Sequence, residues 1–483
     1  MIGRKPIYIP YEYIDDDNVI EAVSKALSAN EINKLDIEFL HNYAKGIQPI
    51  LDRVKTVRPE INNRIVENHA LEIVNFKVGF VFGEPVQYIL RGKCELSDTT
   101  EDADVNALNE LMQYDGKAGK DRQLAEWLNE CGIGFRMVLP YEGEDKPFET
   151  YILNPAETLI ARSYGFKHEA LMGITTSKNI NAEGNTELWV NVYTPDRFYF
   201  LVGVDGVFAI QKTEVNPLGF IPIIEYENNP YRMGSFENVI GLCDALNNIA
   251  SNTLDDIEQT VQSITWFHNC DISSEDFDSL SAKGLVKTKS TDTSNQASVK
   301  ILTNKLDTNQ TKDYKESIYQ QLLNIACVPD RRASAGGNTG QALIIGEGWV
   351  MAEATAKSFE QTFTNAEQEF LKVVLEICKR KKNAPDQVKA LKLHDIVVKF
   401  TRNKTDNLLT KTQGLMNMLQ AGIHPRIAIA NCGLFSDPEQ VYVDSAEYME
   451  KIIYSGNSTQ IETTTEQMIS NALKAVTDEL GVD

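Results

Sequence analysis

A long amphipathic stripe constrains the fold more than any other feature of the sequence. Apolar side chains recur at positions 239, 243, 246, 250, 254, 257, 261 and 264, in steps of 4, 3, 4, 4, 3, 4 and 3. This spacing places them on one face of an α-helix. We expect a helix with Ser235 as N-cap that runs to Phe267, a length of about 48 Å. A helix of this length suggests a subunit that repeats around an axis rather than one that encloses an active site.

The other face of this predicted helix is polar and acidic. Six of its side chains carry a charge or an amide: Glu237, Asp244, Asn248, Asp255, Gln259 and Gln262. The helix should therefore pack against neighbours along its apolar stripe and present polar groups elsewhere.

After this helix, the sequence predicts an insert, a second helix, a glycine-rich loop and a third helix. The insert, residues 269–308, combines a short helix ending at Gly284 with the strand candidates "LVKTK" and "VKIL". It has no core of its own, so we expect a protruding hairpin that is stable only against a neighbour. A helix over 310–327 ends before Pro329, and after the loop "RRASAGGNTG" a long helix runs to about Lys382.

The rest of the chain predicts an α+β region before this unit and short helices after it. Residues 1–230 contain a helical arm (14–45), a helix over 60–82, helical residues near 104–130 and several β-rich runs. His69 lies on the apolar face of the second of these helices, which favours a hydrogen-bonded core histidine. After a strand candidate at 394–400, residues 405–453 predict short helices, and a last helix is expected at 466–480.

Composition narrows the class of function. Lys and Arg number 47 against 69 Asp and Glu, so the formal charge of the 483-residue chain is −22. This argues against a broad grip on nucleic acid, which depends on neutralising phosphates, but permits a protein that lets DNA slip past. Seven scattered cysteines without a CxxC pattern predict reduced thiols in a cytosol. Without an 18-residue apolar run or a signal peptide, we expect a soluble intracellular protein with no membrane partner.

The motifs of common active sites are missing from the sequence. A phosphate-binding loop is one interpretation of the glycines at 336, 337 and 340. However, no Lys-Ser/Thr follows them, and the loop comes after a helix and not after a strand. The six histidines are dispersed, there is no GxSxG, and "HNCD" at 268–271 has no second cluster. We therefore expect no catalytic residue, no cofactor and no metal, and the protein is predicted not to be an enzyme.

Two groups of basic residues have alternative interpretations. Arg331 and Arg332, at the base of the glycine loop, form either a phosphate contact or a solvated pair, and the residues favour neither. The run at 379–382, "KRKK", falls in the last turn of the third long helix, where cations are stabilised by the helix dipole. We prefer this structural interpretation of the run to a phosphate contact.

Several motifs in order resemble one family. They are "NNRIVENHALEIVNFKVGFVFGEPVQY", "NPAETLI", "GFIPIIEYENNPYRMGSFENVIGLCDALNNIASNTLDDIEQ" and "VPDRRASAGGNTGQAL". With these motifs, the sequence over roughly 14–453 resembles the portal (head-to-tail connector) proteins of tailed bacteriophages. The resemblance is to the type found in siphophages of Gram-positive hosts. The resemblance implies an α+β, mainly helical portal fold with wing, stem, clip and crown, which assembles into a ring around a central channel.

The resemblance also implies a division of the chain into regions. These are a wing (1–235), a stem helix (236–268), a clip (269–308), a second stem helix (309–328), a tunnel loop (329–341), a long wing helix with a return strand (342–399), and a helical crown and tail (400–483).

As the family implies, we expect a dodecameric ring at one capsid vertex, through which double-stranded DNA is packaged and ejected. The implied partners are further copies of the chain, the terminase large subunit, the head–tail adaptor that follows it, and major capsid and scaffolding proteins. The implied location is the virion, with the host cytoplasm during assembly. The alternatives are another oligomeric head-completion or minor head protein, and a packaging ATPase or nuclease.

Two sets of residues are then expected at the channel. The tunnel loop would contribute Arg331, Arg332, Gly336, Gly337, Asn338, Thr339 and Gly340. The polar face of the first stem helix would contribute Asp244, Asn248, Asp255, Gln259 and Gln262.

Overall fold

The computed structural model describes residues 3–90, 99–180, 184–204, 206–261, 264–268, 270–271, 289–290, 298–302, 308–330, 348–402 and 408–432, with a few further positions between 434 and 445. It mixes α-helices and β-strands, as the sequence predicts. The chain divides into two compact units. The first unit is Met1–Phe82 with Val86–Phe400, and the second is Gly83–Pro85 with Thr401–Asp483.

The helices of the first unit are α1 to α8. Their bounds are α1 Val19–Ala44, α2 His69–Val81, α3 Thr99–Tyr114, α4 Lys117–Cys131, α5 Ile240–Val261, α6 Thr308–Ala326, α7 Trp349–Arg380 and α8 Asp386–Ala390, with 3-10 turns at Pro49–Asp52, Glu237–Val239 and Leu393–Asp395. The second unit contains α9 Leu408–Gln420 and α10 Pro425–Cys432.

The strands belong to the first unit and form a large sheet and several small ones. Their bounds are β1 Ile7–Ile9, β2 Gln87–Leu90, β3 Ile133–Pro140, β4 Phe148–Leu153, β5 Thr158–Ser163, β6 Ala170–Ile180, β7 Thr186–Tyr193, β8 Arg197–Val204, β9 Val207–Val215, β10 Ile223–Glu227, β11 Ile264–His268, β12 Cys270–Asp271, β13 Lys289–Ser290, β14 Ser298–Leu302 and β15 Ile396–Lys399. The large sheet has the order β1-β5-β6-β7-β8-β9, and β10-β3-β4 form a second sheet. The remaining described strands pair two by two, β11 with β14, β12 with β13 and β15 with β2.

Three hydrophobic clusters hold the first unit together. The start of α1 covers the large sheet, with Val19 and Tyr199 fully buried there. A second cluster joins α1, α2, β3, α5 and α6, and includes Leu246 and Leu322. A third joins α3, α4, β10 and α7, and includes Phe363 and Phe370 on the predicted stripe of α7. A shared core therefore joins the helices α5 and α6 to the α+β region.

Most of the predicted elements occur, but two long helices are shorter than expected. The helix predicted over 60–82 begins only at His69, because the residues before it are held in an extended form by α5. The helix predicted to reach Phe267 ends at Val261, and Ile264–His268 form a strand instead. The helical arm, the helices after the insert and the strand near 394–400 are confirmed. The short helix ending at Gly284, the glycine loop and the helix at 466–480 lie outside the described residues.

The start of α5 is anchored by a buried ion pair rather than by the predicted N-cap. Arg4 donates to the Glu237 carboxylate at 2.7 Å and to the Cys131 carbonyl at 3.2 Å. Glu237 also accepts the backbone N–H of Gly234, whereas the Ser235 hydroxyl donates to Asn129 of α4 at 2.6 Å. Ser235 therefore joins two elements, and the prediction that it caps its own helix is wrong.

A network of four buried charges lies where α4, α7 and the β10-β3-β4 sheet meet. Glu367 of α7 accepts from Lys117 at 2.8 Å and from Arg136 at 3.3 Å, and both cations also contact Asp121. The hydroxyls of Tyr88 and Tyr226 donate to the same Glu367 carboxylate, at 2.6 Å and 2.7 Å. Burial raises the pKa of Glu367, but Lys117 and Arg136 outweigh that effect and bring it to about 2. The carboxylate therefore stays ionised in the core.

Replacing Glu367 by Gln should destabilise the first unit by about 3–5 kcal/mol, because it leaves one buried cation without a counter-charge. Urea unfolding at neutral pH measures this, with Glu369→Gln, an exposed position on the same helix, as the matched control. Because the pKa of Glu367 is depressed, its contribution is present above pH 4.5 and is lost as the pH falls toward 2. The variant should accordingly lose less stability than the parent over that range. An equal loss in both proteins would show that Glu367 does not carry this effect.

Candidate functional site

The strongest structural candidate for a functional region is the pair α5 and α6 with the insert between them. The two helices pack against each other through Leu246, Ile318 and Leu322. The chain leaves α5 into β11, which pairs antiparallel with β14 so that Ile264 faces Leu302 and His268 faces Ser298. β12 and β13 form a separate antiparallel pair, with Cys270 opposite Ser290, and α6 follows β14 along the chain. The strand candidate "VKIL" is confirmed as part of β14, but its partner is β11, whose residues were assigned to the helix, and not "LVKTK". We call the β11–β14 pair the hairpin.

A segment of extended chain, residues 62–68, runs along α5 in the opposite direction; we call it the strap. Its backbone N–H groups at Asn63, Ile65 and Glu67 donate to side chains of α5. The acceptors are Asp255 at 2.8 Å, Ser251 at 2.9 Å and Asn247 at 2.7 Å, in that order. These polar bonds replace the strand partner that an extended segment would otherwise need.

We call these three hydrogen bonds between the strap and α5 the ladder. Their spacing follows from the geometry of the two backbones. Four residues of α-helix advance about 6 Å, and two residues of extended chain advance about 6.6 Å. Alternate N–H groups of the strap therefore meet successive turns of α5. A signal for this was present in the sequence, since Asn247, Ser251 and Asp255 recur at four-residue intervals on an otherwise amphipathic helix.

Asp255 is the ionic end of the ladder. Its carboxylate is 2.7 Å from Lys55 Nζ and 3.2 Å from Arg53 Nη2, and it also accepts the side-chain N–H of Asn63 at 2.9 Å. The residue is only 1% exposed. Burial raises the pKa of Asp255, but the hydrogen bonds from Lys55 and Asn63 outweigh burial and hold it below its usual value. The Asp255 carboxylate is therefore hydrogen-bonded and ion-paired to residues of its own chain.

The other predicted channel residues have different surroundings. Asp244 is half-buried and accepts from the Tyr43 hydroxyl at 2.8 Å, while Asn248 is exposed and Gln259 is half-buried. Gln262 lies outside the described residues, as do all the predicted tunnel-loop residues: Arg331, Arg332, Gly336, Gly337, Asn338, Thr339 and Gly340. The prediction of one polar face open along α5 is thus corrected, because the strap covers Asp255 and α1 contacts Asp244.

The strap also contacts α6, through charged side chains. Glu67 accepts from Lys315 Nζ at 2.5 Å, and Glu72 of α2 accepts from the Tyr319 hydroxyl at 3.0 Å. His69 lies between the two carboxylates, 3.4 Å from Glu67 and 2.9 Å from Glu72, with its ring centroid 4.9 Å from that of Tyr319. The strap and the start of α2 therefore join both helices of the pair.

His69 is a hydrogen-bonded residue, as predicted, but it is not in the core. Its side chain is 18% exposed at the first position of α2. Burial lowers the pKa of His69, but the bonds to Glu67 and Glu72 outweigh that effect and raise it to about 9. The imidazole is therefore cationic at neutral pH.

The basic run at 379–382 makes structural contacts. Lys379 and Arg380 occupy the last turn of α7, and Arg380 pairs with Glu376 at 2.9 Å. Lys381 Nζ donates to the Tyr141 carbonyl at 2.7 Å. These bonds agree with the interpretation of the run as the stabilised end of a helix.

The described residues contain no group of three or more His, Cys, Asp or Glu side chains that could hold a metal ion. Over the same residues, none of the helices is both long enough and apolar enough to cross a membrane. The thiols of Cys131, Cys243 and Cys378 are free and buried.

The chain matches a family model described as phage portal protein, SPP1 Gp6-like, over residues 24–456. It therefore belongs to this family of phage portal proteins. Among curated proteins, it is similar to the portal protein of Bacillus phage SPP1, with 24% identity over 292 residues. That alignment covers 53% of this chain and 51% of the relative, so the chain spans about half the length of the curated relative it matches.

Replacing Asp255 by Ala should loosen the strap, because the Asn63 N–H loses its acceptor and Lys55 loses its counter-charge. We expect a loss of about 2 kcal/mol and faster hydrogen exchange at the amides of residues 63–67. Mass spectrometry of exchanging peptides measures this, with Glu258→Ala on the same helix as control. Unchanged exchange in the strap would mean that Asp255 does not hold it.

His69 should make the stability of the chain depend on pH in the alkaline range. Because its pKa is raised from 6.5 to about 9, its contribution is complete below pH 6.5 and is lost as the pH rises through 9. We expect a loss of about 1–2 kcal/mol on alkalinisation, discounted for partial exposure, and a flatter profile for His69→Gln. Urea midpoints between pH 6 and pH 10 test this, and parallel profiles would contradict the assignment.

Proposed function

We propose that this protein forms the portal of a tailed phage: a dodecameric ring at one capsid vertex, whose central channel passes double-stranded DNA during packaging and ejection. The observation that carries the proposal is the family match over residues 24–456, since it includes both helices of the α5–α6 pair and the hairpin between them. Such a unit has little core of its own beyond the α+β region, which suits a part that packs against neighbouring copies.

The region map is proposed with one boundary moved. The wing comprises residues 1–235 with the long helix and return strand of 342–399. The stem comprises α5 and α6, and the clip begins at β11 rather than at residue 269, because the helix ends at Val261. The tunnel loop (329–341) and the helical crown and tail (400–483) keep their predicted bounds.

The net charge of the chain favours passage of DNA through the channel over tight binding of DNA to its wall. Each copy carries a formal charge of −22, and duplex DNA carries one negative charge per about 1.7 Å of axis, so most of the ring repels the DNA. Weak contact of this kind lets a duplex move past the wall. We propose Asp244, Asn248, Gln259 and Gln262 as stem residues at the channel, and Arg331, Arg332 and the glycine-rich residues 336–340 as its constriction. Asp255 is withdrawn from this set because it is ion-paired and buried.

The proposed partners follow the order of phage assembly. The clip would receive the terminase large subunit during packaging and the head–tail adaptor afterwards, and the wing would meet major capsid and scaffolding proteins. The protein would be present in the virion and, while it assembles, in the host cytoplasm. It would be non-enzymatic, and the terminase would supply the energy from ATP.

Electron microscopy of the purified full-length chain tests the assembly. We expect closed rings of about twelve copies, as the resemblance implies, with a central opening wide enough for a duplex. Native mass spectrometry should give the same copy number. A protein that stays monomeric at every concentration and ionic strength would contradict the proposal.

An ATPase assay separates the portal from a packaging enzyme. The purified chain should hydrolyse ATP no faster than a buffer blank, with or without double-stranded DNA, while the terminase large subunit serves as the positive control. ATP turnover well above the blank would contradict the portal function and indicate a packaging enzyme.

A further inference from the structure

A pocket of about 240 Å³ opens beside α2, between the end of α6 and the start of α7. Its walls are mainly apolar and include Phe76, Phe80, Ile325, Ala356 and Phe359. Ile325 is 56% exposed, and a further lining residue, Tyr231, is 77% exposed. The pocket therefore offers apolar surface that the described residues of the first unit leave uncovered.

Lys77 is the one formally charged residue in the lining of this pocket. Within the described part of the chain, no carboxylate lies within ion-pair distance of its Nζ, and burial lowers the pKa of Lys77. The polar neighbours are already bonded internally: Asn129 accepts from Ser235, and Asn229 donates to the Met233 carbonyl. The pocket thus combines an apolar surface with a cation that has no counter-charge among the described residues.

This chemistry selects the kind of group that would fill the pocket. A free phosphate or a DNA backbone is strongly hydrated and gains nothing from aromatic walls. A carboxylate beside aliphatic side chains satisfies both features, since it supplies the counter-charge while its neighbours cover the rings.

A surface of that chemistry lies on α1 of the same chain. Ile32 and Leu35, one turn apart, are 67% and 58% exposed. The exposed carboxylates of Glu31 and Glu38 flank them on the same helix, one turn from Leu35 on either side. We call these four residues the α1 patch.

We propose that the α1 patch of one copy inserts into the Lys77 pocket of a second copy, with Glu38 or Glu31 as the counter-charge of Lys77. Because the two surfaces differ, the contact is heterologous, and a heterologous contact that closes generates a ring. The inference rests on the proposed function, which requires a ring, and adds which surfaces form the joint. It also gives copies that each carry −22 a specific attraction at their boundary.

Charge reversal in the full-length chain tests this joint. Lys77→Glu should lower the ring population seen by native mass spectrometry by about tenfold or more, because it places like charges in a desolvated contact. Glu31→Lys combined with Glu38→Lys should do the same, and joining these changes to Lys77→Glu should restore rings. Lys167→Glu, an exposed position with the same change of charge, is the matched control and should assemble normally.

The outcomes separate the joint from the portal assignment. Wild-type rings together with normal rings of Lys77→Glu would overturn the joint and leave the portal assignment standing. A lowered thermal midpoint of the Lys77→Glu monomer would place the counter-charge within its own chain, which also overturns the joint. A wild-type protein that never forms rings would overturn both. Loss of rings at an unchanged midpoint, with rescue by the combined reversal, supports the joint.

Discussion

The buried charge network around Glu367 is the constraint on which the first unit depends. Two cations and two carboxylates removed from water are tolerated only when each is paired at close range. Glu367 alone receives Lys117, Arg136 and two tyrosine hydroxyls, which come from four different elements. The helix α7, which starts just after the proposed tunnel loop, is thereby fixed in rotation and in register against α4 and the central strands. A shift of one residue along α7 would remove the one carboxylate that all of these groups share.

Local pattern predicted much of this fold. The stripes of α5 and α7, the arm α1 and the strand β15 follow from periodicity and from turn residues. The errors lie where a distant contact outweighs local preference. Residues 62–68 have helical spacing, yet their N–H groups find better partners on α5. The apolar stripe of α5 continues to Ile264, but that residue pairs with Leu302, and only the far strand of the hairpin decides this.

The candidate site could be predicted only in part. The polar positions of α5 were visible, but whether Asp255 meets solvent depends on Lys55 and the strap, which lie about two hundred positions earlier in the chain. His69 likewise has an apolar helical environment in the sequence and an ionic one in the fold. The tunnel-loop residues stay predictions, since they lie outside the described part of the chain. The family match gives the class of protein, and side-chain contacts give the roles of single residues.

The ladder between the strap and α5 has a mechanical consequence. Alternate N–H groups of the strap are bonded to three successive turns of α5. Bending α5 away from the strap would have to break its polar bonds together over the turns from Asn247 to Asp255. Beyond Asp255 the helix has only six more residues before it ends at Val261. The strap therefore braces α5 as far as Asp255 and leaves the last six residues of the helix, next to the hairpin, without its backbone hydrogen bonds.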